Sequence, residues 1–265
     1  MSPITSRSNP KVKQIRALQQ RKRREKMGLF VVEGIRHVGE AVEAGAALSY
    51  LCYAPDLLDS DFAYQLVEAQ QAQNIPTYVF SADVMRSLAD KDNPQGILAV
   101  VEQPAISLKT LHPPDFSWGV ALLAPQDPGN LGTILRTIDG VGADGLILLD
   151  NSVDPYHPTA VRASMGTLFW HPVVQASFVE FADWATQHDY HIYGTSVRGS
   201  VDYRDVQDYA SPTILLMGSE REGLAEGHMT CCDQLVRLPM HGHVTSLNLA
   251  VATGVLLYDM LLKRS

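Results

Sequence analysis

Hydrophobic and polar positions follow two rhythms along the chain. Short continuous apolar runs alternate with longer stretches whose apolar positions recur at helical spacing, the pattern of buried strands interleaved with amphipathic helices. In the first part, "LFVVEG", "LSYLCYA", "PTYVF" and "GILAVVEQ" read as strands, with "IRHVGEAVEAG", "DFAYQLVEAQQAQN" and "SADVMRSLAD" as helices between them. The opening "NPKVKQIRALQQRKRREKMG" reads as one helix with a proline near its start, ended by Gly28. "PAISLKTLHPPDFSW" then breaks every period and carries three prolines, so it reads as a linker. From Trp118 the alternation resumes, with strands "GVALLA", "GLILLD", "VVQA", "HIYGTS", "PTILLMG" and "LVRLPM". Helices are expected from about Asn130, around "PTAVRASMG", through "VEFADWATQ" and along "SLNLAVATGVLLYDMLL". The expected fold class is α/β, with a small N-terminal α/β domain over 1–103, a linker over 104–117 and a C-terminal parallel-sheet domain over 118–265, its sheet covered on both faces.

Charge sharpens this outline. The net charge is −8, yet residues 1–26 hold nine Lys or Arg against the single acid Glu25, leaving twelve bases against 28 acids elsewhere. A basic arm on an acidic body suits phosphate contact without general polyanion binding, although a charge run by itself also reads as a solvated helix face. Arg7, Lys11, Arg21, Lys22, Arg23, Arg24 and, further along, Arg36 are the candidate nucleic-acid-binding residues. Cys52, Cys231 and Cys232 make neither a disulfide framework nor zinc-ligand spacing, which fits a reducing, cytoplasmic setting. No apolar run approaches the roughly 18 residues of a membrane span, and the N-terminus reads better as a first helix than as a signal or transit peptide.

Candidate chemistry sits in three loops. "APQDPGNLGTILRT" follows a strand and opens a helix whose apolar stripe is Leu131, Ile134, Leu135, Ile138 and Val141; Asn130 falls at its expected N-cap and Arg136 off the stripe. "LLMGSEREGL" brings Gly218, Glu220 and Gly223 to a strand end, and "LPMHGHVTSLNLAVA" brings Pro239, Met240, Ser246, Leu247 and Asn248 to a helix start. Glycines at such ends let a backbone approach a nucleotide closely. The Gly-x-Gly-x-x-Gly fingerprint of an oxidoreductase is absent, and His241 and His243 read as loop residues rather than a metal site.

Together these residues resemble the signature motifs of the SpoU family of RNA 2'-O-ribose methyltransferases, within the SPOUT superfamily. The first motif is Asn130, Gly132 and Arg136; the second is Gly218, Glu220 and Gly223 with Leu224; the third is Pro239, Met240, Ser246, Leu247 and Asn248, then Ala250. "SNPKVKQIRAL", "FVVEGIRHVGEAVEAG" and "NPQGILAVVE" are similar to the substrate-binding domain of longer members. Two positions depart from the usual pattern, Thr133 where alanine is common and "SERE" around Glu220.

The resemblance implies a deep C-terminal trefoil knot, a homodimer, and S-adenosylmethionine as cofactor on Gly218, Ser219, Glu220, Gly223, Leu238, Met240, Ser246, Leu247 and Asn248. It implies catalysis by Asn130, Arg136, Glu220, Ser246 and Asn248 on RNA, with ribosomal RNA favoured over transfer RNA and neither metal nor membrane involved. Arg136, which also belongs with the RNA contacts, is left with two roles. It either activates the 2'-hydroxyl, for which a guanidinium is a poor base, or grips the neighbouring phosphate and stabilises the developing alkoxide. A noncatalytic RNA-binding protein with the same loops is the alternative.

Overall fold

The computed structural model describes residues 2–89, 94–197, 199 and 201–264. The chain forms two units: Met1–Pro104 with Tyr156–Trp170, and Ala105–Pro155 with His171–Ser265.

In the first unit, strands β1 (Leu29–Glu33), β2 (Leu48–Tyr53), β3 (Thr77–Val79) and β4 (Ile97–Glu102) lie in the order β1-β4-β2-β3. β4 is antiparallel to both neighbours, and β3 runs parallel to β2. Five successive buried residues, Ile97 to Val101, put β4 at the centre of the sheet. Helices α3 (Ile35–Glu43) and α4 (Asp61–Ala72) stand where the apolar periods place them, whereas α5 (Ala82–Arg86) stops short of the expected segment over 81–90. Asp90, at the end of the expected α5 segment, and Asn93 lie outside the described residues.

The opening helix departs from expectation by splitting into α1 (Pro10–Ala17) and α2 (Arg21–Met27). Val12, Ile15 and Leu18 form a buried stripe, but the next turn offers only polar side chains and cannot extend it. The chain turns instead, and Arg24 swings inward, 1% exposed, donating to Leu18 O at 2.8 Å and Gln19 O at 2.9 Å. Arg24 is therefore a structural cap on two carbonyls, a correction to its expected place among the RNA contacts.

The segment Tyr156–Trp170 packs in this unit although it comes from the second half of the chain. Its helix α7 (Pro158–Ala163) lies against β1, the Tyr156 ring packs at a tilt with its centroid 4.6 Å from that of the buried Phe30, and Trp170 Nε1 donates to Glu40 Oε2 at 3.1 Å.

The second unit is a seven-stranded sheet in the order β7-β6-β5-β10-β8-β11-β9. Its strands are β5 (Trp118–Leu123), β6 (Gly145–Leu149), β7 (Val173–Ala176), β8 (His191–Thr195), β9 (Val201–Asp202), β10 (Thr213–Met217) and β11 (Gln234–Arg237). All are parallel, and every residue of β5, β6 and β10 is buried, as continuous apolar runs require. The helices are α6 (Pro128–Val141), α8 (Phe178–Gln187), α9 (Glu226–Met229) and α10 (Leu249–Lys263). β9 and α9 are too short to show a period in the sequence.

The proline-rich stretch over 104–117 is packed rather than free. Leu108, Leu111 and Phe116 are buried in the core of this unit, with Trp184 Nε1 donating to Leu111 O and Tyr190 Oη to Phe116 O. α10 is clasped near its end: Asp259 accepts from Tyr209 Oη at 2.8 Å and pairs with Lys263 Nζ, which also donates to Tyr203 O. Burial raises the Tyr209 pKa and keeps that hydroxyl a donor. Among the described residues, no helix is long and apolar enough to cross a membrane.

Replacing Arg24 with alanine removes the partner of two carbonyls and a buried side chain. The expected loss is about 1–3 kcal/mol by denaturant unfolding, whereas Arg23→Ala, on the exposed side of α2, leaves the midpoint nearly unchanged.

Candidate functional site

Because the strands are parallel, the loops leaving the carboxyl ends of β5, β8, β10 and β11 gather on one edge of the sheet. After β10 the chain folds back at once. A Cβ on Gly218 would lie 2.3 Å from the Gly223 carbonyl carbon, so only hydrogen fits there. Ser219 and Gly223 exchange backbone hydrogen bonds at 3.2 and 3.0 Å, and Gly223 takes φ +67°, which glycine adopts without strain. The result is a tight loop with Glu220 at its tip.

After β5 the cap differs from expectation. Asp127, not Asn130, is the N-cap of α6: its Oδ1 accepts from Gly129 N at 2.6 Å and Asn130 N at 3.0 Å, with Pro128 in the first turn where no N–H is needed. Asn130 is thereby inside the first turn with its side chain free to reach elsewhere. Its Nδ2 donates to Glu220 Oε1 at 3.3 Å, and its Oδ1 accepts from Asn248 Nδ2 at 2.9 Å.

Asn248 ends this chain as the N-cap of α10, where its Oδ1 accepts from Ala250 N at 2.9 Å and Val251 N at 3.3 Å. Helix N–H groups demand an oxygen, so the Asn248 amide points its nitrogen outward and Asn130 is oriented in turn. Three loops, each carrying one expected motif, are joined by one directed set of hydrogen bonds.

A cavity of ≈ 560 Å³ opens beside this joint. Gly218, Ser219, Glu220, Gly223, Leu238, Met240, Ser246 and Leu247 all line it; Asn248 does not. Met217, Leu224, Met229 and Val236 supply apolar wall, and α10 contributes Leu249, Ala252 and Leu256. Thr195 and Ser196, at the end of β8, add hydroxyls that the sequence reading missed. Their signal was present in "GTS" closing a strand of a parallel sheet, at the edge where such folds take ligands. On the rim, Glu220, Glu222 and Glu226 outnumber Arg221. An apolar slot with hydroxyls and carboxylates suits a ligand with a flat ring, a sugar and a positive charge.

Arg136 is exposed on α6, with no hydrogen bond or ion pair among the described residues. It makes no pair with Glu220, which is engaged by Asn130 and the backbone of Gln126. In the first unit, Arg7, Lys22, Arg23 and Arg36 are exposed; Arg21 is paired with Glu25 at 2.7 Å, and Lys11 Nζ sits 4.1 Å from the Tyr50 ring centre. Among the described residues, no group of three or more His, Cys, Asp or Glu is arranged to hold a metal.

Gly218→Ala forces the two arms of the loop apart and is expected to cost about 1–3 kcal/mol in thermal or denaturant unfolding. Gly227→Ala, where a Cβ meets nothing within 4 Å, is the matched control and leaves stability unchanged.

Residues 118–258 match the SpoU rRNA Methylase family, and residues 9–99 match the MRM3-like substrate binding domain. A 23S rRNA (uridine(2479)-2'-O)-methyltransferase of Streptomyces viridochromogenes is 36% identical over 98% of this chain and 92% of its own. A 23S rRNA (guanosine(2553)-2'-O)-methyltransferase of Bacillus subtilis is 30% identical over 98% and 99%. The crystal structure of an AdoMet-bound rRNA methyltransferase from Sinorhizobium meliloti superposes with a TM-score of 0.89 at 36% identity, covering 98% of this chain and 97% of that one. On its motifs, its fold and these similarities, the chain belongs to the SpoU rRNA methylase family.

Proposed function

We propose that this protein transfers a methyl group from S-adenosylmethionine to a ribose 2'-hydroxyl of RNA, with ribosomal RNA as the substrate class. The observation that carries this reading is the meeting of the three motif loops at one cavity through Glu220, Asn130 and Asn248. The named activities of the relatives support the choice of ribosomal RNA and of the 2'-oxygen. That substrate places the work in the cytoplasm.

When bound, S-adenosylmethionine supplies an electrophilic methyl group on a sulfonium. The Gly218–Gly223 loop, Leu238, Met240, Ser246 and Leu247 would hold it, with apolar walls suited to the base and hydroxyls to the polar groups. Glu220 favours the positive charge, and its two hydrogen bonds keep it pointed where the loop needs it. Methyl transfer to an alcohol depends on alignment, so a rigid joint between loops has direct catalytic value. Arg136 is permanently charged and has no carboxylate partner among the described residues, which suits it to grip an RNA phosphate and stabilise the developing alkoxide rather than to accept a proton.

The domain over 1–103 serves as the RNA-binding part. Its phosphate contacts fall to Arg7, Lys11, Arg21, Lys22, Arg23 and Arg36, with the target nucleotide selected by RNA shape and unpaired bases. The domain over 118–265 is catalytic. The return of α10 against α6 after β11, with Gly254 facing Thr137, is compatible with the trefoil knot of the family. Val251, Val255, Tyr258 and Leu262 form an exposed apolar stripe on α10 at heptad-like spacing, which supports a second copy of the chain as its occupant.

The decisive assay offers methyl-labelled S-adenosylmethionine with unmodified ribosomal and transfer RNA and maps the product. Label at one 2'-oxygen of ribosomal RNA is expected; label only on a base, or only on transfer RNA, overturns the assignment. Arg136→Ala is expected to lower kcat roughly 100-fold or more with cofactor affinity little changed. In sedimentation, the wild type is expected to run as a dimer, and Val255→Asp with Leu262→Asp as a monomer; a wild-type monomer overturns the proposed pairing of α10.

A further inference from the structure

We infer that Gln126, which belongs to none of the three motifs, is a positioning residue for methyl transfer; the inference rests on the functional reading above. Its side chain is exposed, yet both hydrogens of its Nε2 are used, one to Ala124 O at 2.9 Å and one to Asn151 O at 3.0 Å. Its backbone N donates to Glu220 Oε2 at 3.3 Å. One residue therefore joins the loop after β5, the loop after β6 and the tip of the loop after β10.

The two loops it joins by its side chain are backbone-strained. Ala124 takes φ +46° and Asp150 φ +56°, a left-handed conformation without glycine at the ends of adjacent strands. Ala124 N donates to Leu149 O, Val153 N to Pro125 O and Asp150 N to Ala176 O, so the strained turns lie side by side. A glutamine amide carries two donors on one nitrogen at the reach these two carbonyls require. An ionised glutamate presents only acceptors to them, and methionine presents no N–H.

Both carbonyls belong to incompletely buried residues, so water replaces the lost donor at little cost in stability. What the side chain governs is location. Asp127 and Asn130 follow directly, and any drift of residues 124–126 moves the first turn of α6 relative to Glu220. The expected signature is a loss of rate without a loss of fold.

The test compares wild type, Gln126→Met and Gln126→Glu in methyl transfer at saturating RNA and cofactor. Alongside it run thermal unfolding, calorimetry with S-adenosylmethionine, and hydrogen exchange over 126–131 and 219–223. Both variants are expected to bind cofactor at full stoichiometry with a similar Tm, to lose roughly 10-fold or more in kcat with KM little changed, and to exchange faster in those two segments. A wild-type kcat in Gln126→Met overturns the inference, as does a rate loss that tracks a falling Tm and a reduced fraction of cofactor-binding protein. A wild type that transfers no methyl overturns the functional reading itself, and the inference with it, which separates that failure from a failure of Gln126 alone.

Discussion

The unpaired N–H groups at the start of α10 are the constraint on which the site depends. They call for an acceptor, Asn248 Oδ1 supplies it, and the amide is left with its nitrogen facing away from the helix. From that point every hydrogen in the joint has a direction: Asn248 donates to Asn130, and Asn130 to Glu220. The cavity wall at Glu220 is thus set by a helix whose N-cap, Asn248, lies 28 residues later in the chain. Each bond contributes only about 1 kcal/mol, and the groups are largely exposed, so their value is geometric.

Stability comes from elsewhere. The inner strands β5, β6 and β10 are buried along their whole length, and the loops they emit inherit a rigid base. α10 is held at both ends, by Asn248 at the first and by the Asp259, Lys263 and Tyr209 clasp at the last. A helix fixed in this way cannot slide along its axis, and the third motif at its start stays in register with the other two.

Much of this was legible in the residues. Continuous apolar runs such as "GVALLA" and "GLILLD" announced a covered parallel sheet, and the glycines and small polar residues at strand ends announced the cavity. What escaped had local causes. Asn130 is as good a capping residue as Asp127, and only the proline between them signals that the earlier one wins. Arg24 sits in an unbroken basic run, and nothing in its neighbours tells that one of the four turns inward to meet Leu18 O and Gln19 O. Leu108, Leu111 and Phe116 were masked by prolines, which mark irregular backbone but not exposure. Thr195 and Ser196 enter the cavity only because β8 lies between β10 and β11, an order that pattern alone does not give.

The packing of Tyr156–Trp170 beside Phe30 has a consequence for how the molecule is made. As the chain leaves the ribosome, the four-stranded sheet has all its strands by Glu102, but the ring that covers Phe30 and the indole that engages Glu40 are still unsynthesised. The first unit must wait, with an aromatic face open, until β5, α6 and β6 have also emerged. Its completion is tied to the birth of the second unit, and a fragment cut at the apparent boundary inherits that open face permanently.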